Sequence, residues 1–186
     1  MSTEFDFEHD DDYPALRERA MGTNVNEQTL LATDYLNHFN EVVMTLEMLA
    51  DMPELLDEAK EWAPKSYKDH FRDSTIADRE LAIEAYDHAP PKFKEPFDKN
   101  IEKINHLMST SIERLESDIQ SGDLDLVRAN AKALSQVIQR LMDMCSANIH
   151  GSATTMDQSE IDNLIGAAPD AEPAGDAQAD IDALFD

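Results

Sequence analysis

Asp34 and His38, Glu84 and His88, and Glu102 and His106 each stand four residues apart. On a helix that spacing puts a carboxylate and an imidazole on one face. Helical bundles hold paired metal ions with such groups, and the di-iron arrangement uses Glu-x-x-His, a spacing of three, twice. Here His38 and Glu41 have that separation in reversed order. With 6 histidines among 40 carboxylates, pairs of this kind arise by chance, so a helical dimetal protein ranks third among the readings. Cys145 is the one cysteine, which excludes an intrachain disulfide and a cysteine-based zinc site. Nothing in the chain calls for a cofactor.

A second kind of chemistry is recognition. The stretches "QSEIDNLI", residues 158–165, and "QADIDALF", residues 178–185, repeat one phrase. In each, Ile, Leu and a last large apolar residue sit at i, i+3 and i+4, one side of two helical turns. Acidic residues fall near the amino end, where the helix dipole favours them. So short a helix is unstable alone and gains order by laying its apolar face in a groove. The spacer "GAAPDAEPAGDA" would let two such peptides act in tandem.

The elements that must carry these residues read as helices. Leu31, Tyr35, Leu36, Phe39, Val42, Val43, Leu46 and Leu49 trace one apolar stripe, with Asn24 or Asn26 as the expected cap and Pro53 as the bound. "PELLDEAKEWAP" predicts a short helix with Pro53 in its first turn. "DSTIADRELAIEAYDHAPP" predicts another, capped by Ser74 or Thr75 and stopped by Pro90 and Pro91. Then Phe97, Ile101, Ile104, Met108, Ile112, Leu115 and Ile119 run at near-heptad spacing. Val127, Ala131, Leu134, Ile138, Leu141 and Cys145 do the same after "SGD". Gly122 should end the first of these helices and Asp123 cap the second. Two long helices joined by so short a turn pack antiparallel. The expectation is an all-α antiparallel bundle over residues 25–150, centred on a long hairpin at about 93–148. Residues 1–24 should form a loose acidic arm and residues 151–186 a loose tail. The hairpin faces need cover from residues 31–49 or from a second subunit, as a homodimer.

Composition narrows the function. The net charge of -25, from 40 acidic and 15 basic residues, repels phosphate backbones and excludes a nucleic-acid role. No apolar run approaches a membrane span, so membrane insertion is not expected. The amino terminus lacks the apolar core of a secretory signal. A cytoplasmic setting is the expectation.

The doubled phrase resembles the amino-terminal peptide of the flagellar switch protein FliM, close to S-Q-x-E-I-D-A-L-L. A related peptide ends the chemotaxis phosphatase CheZ. In both families the peptide becomes helical on the response regulator CheY. The resemblance implies a CheY-like receiver domain as partner. It implies Gln158, Glu160, Ile161, Asp162, Leu164 and Ile165 as one contact set, and Gln178, Asp180, Ile181, Asp182, Leu184 and Phe185 as the other. Asn163 stands where the family has Ala.

"SQVIQRLMDM", residues 135–144, is in turn similar to the catalytic helix of CheZ. There a glutamine enters the regulator's site and orients water toward the aspartyl phosphate, as a glutamine does in GTPases. By that resemblance Gln136 is the catalytic residue. The family carries an acid four positions earlier, to pair with the regulator's lysine, whereas this chain has Lys132. Glu116, Asp118 or Asp143 are the candidates to replace it. The resemblance covers roughly residues 93–186. It implies a chemotaxis or flagellar signalling protein that binds a receiver and promotes its dephosphorylation. The alternative is a non-catalytic adaptor or localisation protein.

Overall fold

The computed structural model describes residues 10–153 and 158–166. The chain is predominantly helical, and among the described residues the one β feature is an isolated bridge between Val25 and Ala32. Among the described residues, eight α-helices follow in order: α1 (Tyr13–Ala20), α2 (Asn37–Met48), α3 (Leu56–Glu61), α4 (Tyr67–Asp73), α5 (Arg79–Asp87), α6 (Pro91–Ser121), α7 (Leu124–Ile149) and α8 (Gln158–Gly166). No helix among the described residues is long and apolar enough to cross a membrane.

Helices α6 and α7 form the spine. Pro91 opens α6, where its missing N–H costs nothing. Gly122 closes it at φ 80, a left-handed conformation in which a Cβ would be strained. The Asp123 carboxylate then accepts from the Leu126 N–H at 3.0 Å and caps α7. Asn100 donates to Asn148 near one end of the pair and Asn130 donates to Asp118 near the other, an antiparallel register. The facing set Ile104, Met108, Leu115, Val127, Ile138 and Cys145 is fully buried between them. Helix α2 packs on α7, α3 on α6, and α4 on α5.

Three expectations need correction at the amino-terminal side. A loose segment over 1–24 does not hold throughout, because residues 13–20 form α1, whose Leu16 and Ala20 are buried. Arg19 holds α1 to α5 with two bonds to Glu84, at 2.9 and 2.7 Å. Second, Asn26 caps no helix. Its carboxamide oxygen accepts from the N–H groups of Gln28 and Thr29, and Asn26 N–H donates to Leu31. This turn carries Leu30 at φ 58, a conformation costly for Leu and retained because its side chain is wholly buried. The first helical stripe therefore begins as a 3-10 turn at Thr33–Leu36. Third, Ser74 closes a local turn on Ile76 N–H, so α5 starts only at Arg79.

Helix α4 goes beyond the sequence expectation. Its signal is Ser66, whose hydroxyl accepts from Asp69 N–H and donates to the Asp69 carboxylate, a reciprocal cap.

Candidate functional site

The exposed face of α7 is the first candidate. Lys132, Gln136 and Arg140 are exposed on successive turns, with Asp143 beside them. The α2 helix borders this face along a polar seam. Arg128 reaches Asp51 at 2.9 Å, and Gln139 donates to Glu47 at 3.4 Å. Beyond the seam, α2 turns Met44 and Met48 to solvent. Among the described residues, no hydrogen-bond partner satisfies the Gln136 amide, which leaves its donor and acceptor for a water or a partner.

The acids that could replace the one missing at Lys132 fare differently. Glu116 is held by Lys60 at 2.6 Å. Asp118 is buried and takes bonds from Asn130 and Arg114, a structural bridge between α6 and α7. Asp143 alone of the three shares the exposed α7 face with Gln136.

The first phrase is helical and lies on the bundle. It forms α8, which packs on α7, and Ile161 is fully buried in the common core. Glu160 is exposed, and Leu164 keeps 39% of its surface. Within the tail expected over 151–186, residues 158–166 form a helix on the bundle, with Ile161 in an apolar seat. The side chains of Gln158, Asp162 and Ile165, and all of Gln178, Asp180, Ile181, Asp182, Leu184 and Phe185, lie outside the described residues.

Among the described residues, the three histidine–carboxylate pairs do not combine into one ligand set. His38 Nε2 lies 3.0 Å from the Ala63 carbonyl, and Glu84 serves Arg19. His88 instead meets Asp10 at 2.8 Å, with Asp12 near enough to complete a three-ligand group on the surface. Burial acts to raise the Asp10 pKa, but the bonds from His88 and from Asp12 outweigh it and the value falls. Cys145 is buried and its thiol is pushed up by desolvation, so it is a core residue and no nucleophile.

A further feature has no local sequence signal. A cleft of about 490 Å³ opens between α2, α3 and α4, where His38 stacks on Trp62 and approaches His70, under a rim of Glu41, Glu58 and Glu61. Burial lowers the pKa of both imidazoles. Its residues come from three separate helices, so no local spacing announces it.

Compared with known proteins, the chain matches no family model, no curated protein and no solved structure.

Proposed function

We propose that this protein binds a CheY-like receiver domain through its acidic-apolar phrases, as a cytoplasmic component of chemotaxis or flagellar signalling. The observation that carries the reading is the recurrence of Gln-x-acid-Ile-Asp-x-Leu-apolar at 158–165 and 178–185. Such a phrase presents an apolar edge and an acidic amino end to a partner groove. The long hairpin of α6 and α7 supplies the rigid body, and the phrases supply the grip. With Ile161 seated in the core, the first copy must detach before its Ile can enter a receiver groove.

A second reading is favoured by Gln136. Its uncommitted amide on an exposed helix can orient water beside a captured receiver and promote loss of the aspartyl phosphate, with Asp143 nearby to pair with the receiver's lysine. Lys132 opposes this by charge, and binding without catalysis is the main conclusion.

The test is calorimetry of phosphorylated CheY-like receivers against the full chain. Replacing Ile181, Leu184 and Phe185 by Ala should weaken binding at least about tenfold. Unchanged affinity when Ile161 and Leu164 are also replaced rejects the proposal. Phosphate release above the receiver's own rate, lost in Gln136→Ala, would establish the catalytic reading.

A further inference from the structure

Three methionines lie exposed at successive helical turns. Met44 and Met48 keep 59% and 38% of their surface on α2, and Met52, whose N–H continues the turn to the Met48 carbonyl, keeps 38%. Thioethers are adaptable apolar groups that suit a binding surface better than solvent. Across the Glu47–Gln139 and Asp51–Arg128 seam stand Lys132 and Arg140, one turn to either side of Gln136. Neither has an ion-pair partner among the described residues, in a chain of net charge -25. An apolar ridge beside two unpaired cations fits an acidic, amphipathic helix.

The chain itself contains such a helix-forming phrase. Residues 178–185 carry Ile181, Leu184 and Phe185 with Asp180 and Asp182, and Asp186 follows. The sister phrase already packs on α7 through Ile161, so this bundle accepts the pattern. Residues 167–177 span at most about 40 Å when extended, a length comparable with the about 39 Å run of the 26 residues of α7.

We propose that residues 178–185 dock along the α2–α7 seam of their own chain, apolar side on Met44 and Met48 and aspartates toward Lys132 and Arg140, and so cover Gln136. This goes beyond the receiver reading and needs no receiver to be true. If both hold, a receiver that takes the phrase also uncovers the α7 face.

Methionine oxidation by hydrogen peroxide, followed residue by residue by mass spectrometry on the full chain, tests it. Met21, 65% exposed at the end of α1, is the internal control. Met44 and Met48 should oxidise several-fold more slowly in the wild type than in the Ile181→Ala, Leu184→Ala, Phe185→Ala variant, with Met21 alike in both. Lys132→Glu with Arg140→Glu, surface changes that leave the core intact, should remove the protection too. Equal rates in wild type and tail variant overturn the proposal. Protection that vanishes on dilution assigns the seam to a second copy and overturns it as well. No receiver is present, so the result is separate from the failure or success of receiver binding.

Discussion

Single side chains in this protein show how context sets chemistry. Three Asp or Glu residues could stand in for a missing acid near Gln136, and packing reserves two of them: Glu116 for Lys60, Asp118 for Asn130 and Arg114. His38 and His70 are held below the ordinary imidazole pKa of 6.5 by burial. The fold favours their neutral form, and they bind protons more readily in the unfolded chain. Their contribution to stability is therefore complete above about pH 6.5 and declines as pH falls through the depressed folded values. The melting temperature of the wild type, measured against His38→Phe, should fall between about pH 7.5 and about pH 5.5. A difference that stays constant over that range rejects the assignment. Taking the difference matters, because protonating carboxylates relieves self-repulsion in both proteins.

Among the elements, α8 is the one that bears on the proposed receiver binding. A helix of 9 residues cannot hold itself together in water, so its order rests on the seat taken by Ile161. Ile161→Asp puts a charge in that seat, which desolvation forbids. Amide hydrogen exchange over residues 158–166 should rise to the rate of an unstructured peptide, while α2, α6 and α7 keep their protection. Retained protection in α8 would mean that it is held by something other than Ile161. The turn between α6 and α7 is secured more locally. Gly122 adopts a φ that most other residues occupy only at a cost of about 1 kcal/mol, and Asp123 supplies the cap that starts the next helix.

For the molecule as a whole, net charge outweighs any single ion pair. With 40 acidic and 15 basic residues, the fold is opposed by its own field. The ion pairs that join distant elements, such as Arg19 with Glu84 and Lys60 with Glu116, are solvent-exposed and worth little each. Raising salt from about 0.02 M to about 0.5 M should therefore raise the melting temperature, since screening relieves more repulsion than it costs in attraction. A fall would mean that the surface pairs outweigh the net charge.

Periodicity alone reveals the helical class, and with it the stripe from Leu31 to Leu49 and the apolar faces of α6 and α7, because burial of one face is a local property of a 3.6-residue repeat. Gly122 and Asp123 are equally legible, since turn and cap chemistry is written in the residue types. The doubled phrase needs only the linear chain. Other features depend on contacts between residues far apart in sequence. Leu30 is held in a left-handed turn by burial, α1 is tied down by Glu84, and the His38–Trp62–His70 cleft draws on three helices. The fate of Ile161 belongs with them: its spacing marks an apolar edge, but only the groove beside α7 decides that the edge is already covered.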